Sequence, residues 1–436
     1  MLGTKLPTLL NLAVVSYGAS WIVPGAVWTD TDGNKIDAHG GAILQQNSTF
    51  YWVGHSAADQ TPMMYSSTDL LSWKNLGAQA SSVTGLWRPK LATPSGAGSF
   101  WIYGQQDRRI LSLQPSHLVG GYKTSAKVLL PPSNASYSDT GIFCDEGTAK
   151  WYILSSADHN IVQINEINSE GKAGDKVGEL TGGLYEAPGL FQVDGVYFLI
   201  VSGKTGWRAN PNKVFWAASL GGPWSGGTDI APATPNTYGS QNTFALTIKG
   251  SQQTTRMYMG DAWDSTGSTA SNYVWLPMDV DSSAKTVTLS YHAMWKVDTA
   301  TGVVSFPTCT KRFTAEDAKL SGLAKREVCG DCPNQLGPLK VRHDGEVEFR
   351  NVTGTGRGQW ILVKYSVNRP EVGQMYIRVN NGPKRVNLAD LNSRAGHHGD
   401  VPVELVLTPG TQNTLQLRVD GHDDFEATVH GIELYD

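Results

Sequence analysis

The sequence is short of charge. Asp, Glu, Lys and Arg make up only 17% of its 436 residues, against about a quarter in an ordinary soluble domain. The formal net charge is −4, and no stripe of Lys and Arg stands out. Without a basic footprint for phosphates, no nucleic-acid partner is expected. No apolar run is long enough to span a bilayer, so no membrane partner is expected either. Sustained helical periodicity is missing, which argues against a helical fold. Cysteine is scarce, with four in all. Cys144 lies in the apolar run Ile142-Phe143-Cys144 and reads as a buried free thiol. Cys309 is expected to pair with Cys329 or Cys332 in one disulfide. The Cys329-Gly330-Asp331-Cys332 spacing has no second pair and no βαβ context, so neither a zinc site nor a redox pair is expected.

What is abundant points to strands. Hydrophobic residues make up 40% of the chain, with 48 Gly and 14 Trp. A core rich in aromatics, joined by many tight turns, suits an all-β protein. The length accommodates two or three domains. At the start, Lys5, the apolar stretch from Leu6 to Tyr17 and the small residues Gly18-Ala19-Ser20 have the layout of a signal peptide, placed at 1–20. A secreted, extracellular glycoprotein is therefore expected. The sequons at Asn47, Asn134 and Asn351 agree with export, though such tripeptides are common by chance.

A pattern recurs about every fifty residues: a polar residue, a small residue or Pro, an apolar strand, a turn and a second apolar strand. His39, Arg88, Asp139, Glu186 and Gln241 lead the five copies, at spacings of 49, 51, 47 and 55. Five strand-rich units predict a five-bladed β-propeller over 21–298, with a sandwich or solenoid as the alternative. In a propeller the first strand of each blade lines the central axis, so the five leading residues face one funnel. Residues 299–308 read as a linker. Alternating strands over 309–436 (345–352, 360–365, 375–379, 401–407, 414–419 and 427–435) predict a β-sandwich of jelly-roll type.

Carboxylates lead two adjacent copies. Glycoside cleavage needs an acid for the leaving oxygen and a group that activates or holds water. Glu186 beside Asp139, with an apolar rim, would have a raised pKa and could donate to a glycosidic oxygen. Both could instead merely bond backbone groups in the channel. Trp207 and Trp263 offer flat faces for a sugar ring, or belong to the blade cores. Gly354 to Gly358 lacks the strand-to-helix setting of a phosphate loop. His397-His398 has no evident partners and reads as loop. No nucleophilic Ser elbow is found.

Residues 22–298 resemble glycoside hydrolase family 43, in particular its fungal exo-β-1,3-galactanases. The resemblance rests on Gly25 to Asp30, Ala38-His39-Gly40, Arg88-Pro89-Lys90, Glu186-Ala187-Pro188-Gly189, Gly206-Trp207 with Asn210 to Lys213, Ser240-Gln241-Asn242 and Tyr258-Met259-Gly260-Asp261. It implies an inverting enzyme that releases galactose from β-1,3-galactan or arabinogalactan. By position, Glu186 matches the general acid and Asp139 the carboxylate that tunes it. Gln241 matches a glutamine thought to hold the attacking water where other glycosidases have a base. His39 stands about where the usual family base would be, and Asp37 is expected off the axis. His39, Tyr103, Thr205, Trp207, Asp261 and Trp263 are expected around the sugar. Trp87 and His55 are expected there too, but each stands where relatives carry a Glu; Trp87 replaces a hydrogen-bond acceptor with a stacking surface, and a shifted linkage or sugar preference is expected. Alternatives are an arabinofuranosidase, a galactofuranosidase or a non-catalytic sugar-binding protein on this scaffold.

Residues 309–436 resemble carbohydrate-binding module family 35, through Phe313 to Asp317 and Val429 to Tyr435. Relatives close a calcium site there between an early Glu and a late Asp. Glu316 matches the first, but His430 stands for the second, and imidazole is a poor ligand for a hard cation. Calcium is therefore a weak expectation, and no cofactor is required. The partner expected is a polysaccharide, bound by a monomer.

Overall fold

The computed structural model describes residues 21–435, apart from 97, 99, 116, 132–135, 158–159, 234–235, 265, 268, 329–335, 368–374, 389–396 and 420–425. The expected leader and Asn134 lie outside the described residues. Among those residues no helix is long and apolar enough to cross a membrane.

The chain from His39 to Leu289 forms five antiparallel sheets of four strands each, every sheet built from consecutive strands. Their first strands are His39–Gln46, Trp87–Ala92, Tyr137–Asp145, Tyr185–Val193 and Gln241–Lys249. Each neighbours the next, and the fifth returns to the first. These sheets fit the five blades expected from the repeats. First and second strands are largely buried, whereas the fourth strands range from half-buried, as in Ala173–Leu180, to largely exposed, as in Lys123–Val128. That gradient explains why the inner pairs read as apolar runs and the outer ones scarcely register as strands. Glycine permits the close approach at the centre. A Cβ on Gly141 would lie 2.2 Å from the Pro188 carbonyl oxygen of the neighbouring sheet.

Residues 299–308 are not a free connection. Lys296–Val297 pairs with Val304–Ser305, and the turn between them bonds back to the fifth sheet. Ser251 donates its backbone N–H to Ala300 O at 2.9 Å, and the Thr255 hydroxyl donates to Gly302 O at 2.6 Å.

Two further sheets follow, with strands close to those read from the alternation. Ala427–Tyr435 is central to one, pairing with Gly358–Val367, Leu336–Val341 and Cys309–Thr314. Gly345–Gly354 and Gly410–Val419 are central to the other. Inward side chains from both sheets, including Leu339, Val347, Phe349, Ile361, Val363, Leu417 and Ile432, share one apolar core. The Cys309 thiol is free, 3.4 Å from Lys311 O, instead of in the expected disulfide. Both expected partners, Cys329 and Cys332, lie outside the described residues. Cys144 is a half-buried free thiol, pushed up to about 11 by burial.

Candidate active site

The site forms where the inner strands begin. All five first strands carry a register shift near that end: at His39/Ala42, Trp87/Lys90, Tyr137/Thr140, Glu186/Gly189 and Asn242/Phe244. Such bulges re-aim side chains. Arg88 and Ala187, both non-glycine, adopt φ of 49° and 53° inside them. L-residues rarely hold this conformation, and residues that do cluster at functional sites.

Glu186, Gln241 and Asp139 come together around Arg88. Gln241 Nε2 donates to Glu186 Oε1 at 3.0 Å and to the Ser202 hydroxyl at 2.9 Å. Gln241 Oε1 accepts from the Arg88 guanidinium and, at 2.8 Å, from the Trp263 indole N–H. Arg88 Nε lies 3.0 Å from Asp139 Oδ2, and Arg88 Nη1 donates to Asn242 O at 3.2 Å. Asp139 Oδ2 also accepts the backbone N–H of Ala187 at 2.9 Å. Burial, and then the Asp139 charge, push the Glu186 carboxyl up to about 7, against the opposing pull of Arg88, Lys204 and the Gln241 hydrogen bond. A carboxylic acid is thereby kept protonated near neutrality, as a donor to a leaving oxygen must be.

An aromatic wall stands beside this group. Trp207 meets Trp263 edge-on, with centroids 5.0 Å apart, and faces Trp87 at 5.8 Å. His55 lies 5.1 Å from Trp87 and stacks at 6.0 Å on Trp263. Burial pushes the His55 imidazole well below its usual range, with the charges of His39, Arg88 and Lys90 adding to the effect. Its Nδ1 accepts the Arg88 backbone N–H at 3.3 Å. His39 packs against Trp263 at 5.4 Å and lies between two carboxylates, Asp261 at 3.4 Å and Asp37 at 3.5 Å. Asp37 also accepts the Ala57 backbone N–H at 2.8 Å.

Other expected sugar contacts have partners within the protein. Tyr103 pairs with Lys90 down the strand, is buried, and donates its hydroxyl to Gly171 O at 2.7 Å. It fills the core between two sheets and presents nothing to a ligand. Asp261 braces the fifth sheet to the first, accepting the Gly40 N–H at 3.0 Å. The Thr205 hydroxyl bonds Arg208 O and accepts from Asn210 Nδ2 at 2.8 Å, which shapes the loop that presents Trp207. Glu316 is exposed in a one-turn helix, and His430 Nε2 lies 3.0 Å from the Ser366 hydroxyl. Among the described residues, no three His, Cys, Asp or Glu side chains gather as a metal site.

The repeat pattern alone did not reveal the part played by Arg88 and Lys90. Lys90 is fully buried and donates to Gly40 O, Gly41 O and Thr243 O at 2.6, 2.7 and 2.9 Å. Two cations inside an apolar strand were the signal, since unpaired buried charge is too costly to keep.

Residues 35–263 match the model for glycosyl hydrolases family 43. Among solved structures, an exo-β-1,3-galactanase from Phanerochaete chrysosporium bound to galactose is similar, with 28% identity and a TM-score of 0.83. The match covers 95% of this chain and 100% of that one. A variant of the same enzyme with β-1,3-galactotriose gives a TM-score of 0.84 at the same identity and coverage. An exo-β-1,3-galactanase from Clostridium thermocellum, 22% identical over 94% of this chain and 99% of its own, shares the fold with a TM-score of 0.61. No curated protein matches by sequence.

Proposed function

The chain belongs to glycosyl hydrolases family 43, and from that premise we propose that it is an exo-acting hydrolase that releases galactose from β-1,3-galactan. The observation that carries the reading is Glu186: a carboxyl pushed up to about 7, hydrogen-bonded through one oxygen to Gln241 beside a wall of indoles. In the proposed step, Glu186 gives its proton to the glycosidic oxygen as the bond to the anomeric carbon breaks. Water bonds to that carbon from the opposite face, inverting it, and its proton passes to the surrounding water, from which Glu186 is reprotonated for the next turnover. Asp139 keeps Glu186 protonated until substrate arrives, and Gln241 orients it. Trp87, Trp207 and Trp263 stack on the apolar face of a pyranose.

The two C-terminal sheets, sharing one apolar core, support a β-sandwich that binds the same polysaccharide. The N-terminal segment supports secretion.

Incubation with β-1,3-galactan, arabinogalactan and aryl glycosides tests the reading. Galactose should be released with inverted configuration, and release should vanish in Glu186→Gln. The aromatic wall favours one second reading, in which the same acid serves another glycoside, such as an arabinofuranoside or galactofuranoside. Turnover of only those substrates would establish it. Binding with no turnover of any would leave a sugar-binding protein.

A further inference from the structure

We infer that Arg88 is a positioning residue for this hydrolysis: one guanidinium fixes both Asp139 and the amide of Gln241, and Gln241 so held orients Glu186 and takes no proton from water. The inference rests on Glu186 being the acid.

The argument starts from the amide. Arg88 and Trp263 are obligate donors, so the end of Gln241 that both address is its carbonyl oxygen. A flipped amide would set N–H against N–H at both contacts. The two lone pairs of Oε1 are therefore occupied. Both hydrogens of Nε2 are used as well, on Glu186 and Ser202. All four hydrogen-bonding positions of the amide are filled by protein, which leaves none to accept a proton from water. Because Nε2 donates to Glu186 Oε1, that oxygen is favoured as the carbonyl acceptor and the acidic proton on Oε2. Gln241 thus selects the oxygen that delivers it.

Arg88 holds this arrangement. Its Nε is 3.0 Å from Asp139, its Nη1 donates to Asn242 O, and its other terminal nitrogen donates to Gln241. The planar fork spans three partners on the third and fifth sheets, as a Lys ammonium cannot. The bulge that aims it has a φ of 49°, and its backbone N–H is held by neutral His55. The charged groups around Glu186 are Asp139, Arg88 and Lys204. The titratable groups around Arg88 and Lys204 add Lys90, His39, the neutral His55, Asp261 and Arg108.

The test uses full-length Arg88→Lys and Arg88→Met, checked by thermal melting and assayed on β-1,3-galactotriose from acid to alkaline pH. Arg88→Lys should lower kcat by roughly 10–100-fold, the cost of slight misplacement, with KM within about threefold and the alkaline limb unmoved. In Arg88→Met the limb should move to higher pH, because the cation that favours ionised Glu186 is gone and Asp139 is left uncompensated. Gln241→Ala should lose activity that azide does not restore, since an orienter, unlike a base, is not bypassed by an anionic nucleophile. A folded Arg88→Lys with wild-type kcat, an unmoved limb in Arg88→Met, or azide rescue of Gln241→Ala would overturn the inference. If Arg88→Met does not fold, the other two variants decide. Wild-type protein inert on galactotriose would instead sink the proposed function.

Discussion

The hub of the five-sheet ring and the core of the C-terminal sheets are both buried β-structure, yet they are built oppositely. The C-terminal core is apolar almost throughout, with Leu339, Val347, Phe349, Ile361 and Leu417 all fully buried. The hub buries Arg88, Lys90, His39, Gln241, Asn242 and Asp261. Its inner strands are bulged, and two of its non-glycine residues sit at positive φ. Burying charge costs several kcal/mol per ion unless partners replace water (about this size in real proteins). Retaining so much polarity on one axis is what a catalytic centre requires and what a structural core avoids.

The largest effect expected on that contrast comes from Glu186→Gln. It should lower kcat by about 10²–10⁴-fold, the usual contribution of a general acid, while sugar binding, read by calorimetry, persists. A comparable loss of binding would mean that the hub is a recognition site only.

Stability sharpens the comparison next. Leu417→Ala should cost about 2–5 kcal/mol, read by denaturant titration, with kcat/KM unchanged well below the melting temperature. Lys90→Met leaves the Gly40, Gly41 and Thr243 carbonyls without their shared donor. Gly41 O keeps the Thr243 hydroxyl at 3.0 Å, but each carbonyl left with no donor costs about 1–3 kcal/mol, and here activity should fall together with stability. If Leu417→Ala also abolished kcat/KM, the two regions would not be separable.

Proton linkage gives a middle-sized effect. The folded Glu186 carboxyl titrates near 7, above its ordinary value of 4.5. The folded state therefore binds more protons between these values, and stability falls as pH rises through them. The loss amounts to about 3 kcal/mol by linkage. Glu186→Gln removes it, so the variant should gain on wild type from acid to mildly alkaline pH. Activity follows the same group. It should decline above about pH 7, and Asp139→Asn should move that limb to lower pH, because the charge that disfavours ionisation is gone. A limb unmoved in a folded Asp139→Asn would detach Asp139 from the acid.

How much of this was legible depended on what period-two patterning can encode. It marked the five inner strands and the residues that lead them, because those strands are buried on both faces and stand out as apolar runs. It put Glu186 and Gln241 on the axis, and coordinates bring them within 3.0 Å. It could not give depth along a strand. Tyr103 shares a blade with Trp87 but lies opposite Lys90, below the site. Nor could it show the reach of Arg88, which bonds residues 51 and 153 positions away. Asp261 lies at the right end of its strand and Thr205 two residues past the end of another, but both side chains are held by protein partners, a distinction made by hydrogen bonds and invisible to spacing.

The smallest effect concerns the wall that borders the hub. Trp87 is half-buried, packed edge-on by His55 and facing Trp207. Among the described residues, its ring contacts are with His55 and Trp207, and no hydrogen bond ties it to Glu186, Gln241 or Asp139. Its contribution should therefore be uniform binding, equal for substrate and transition state. Trp87→Ala removes a stacking surface worth about 0.5–1.5 kcal/mol, so KM for β-1,3-galactotriose should rise by roughly 2–10-fold at nearly constant kcat. A fall in kcat of the size expected for Arg88→Lys would move Trp87 into the positioning machinery. The boundary between the charged hub and its aromatic rim would then lie one residue further out.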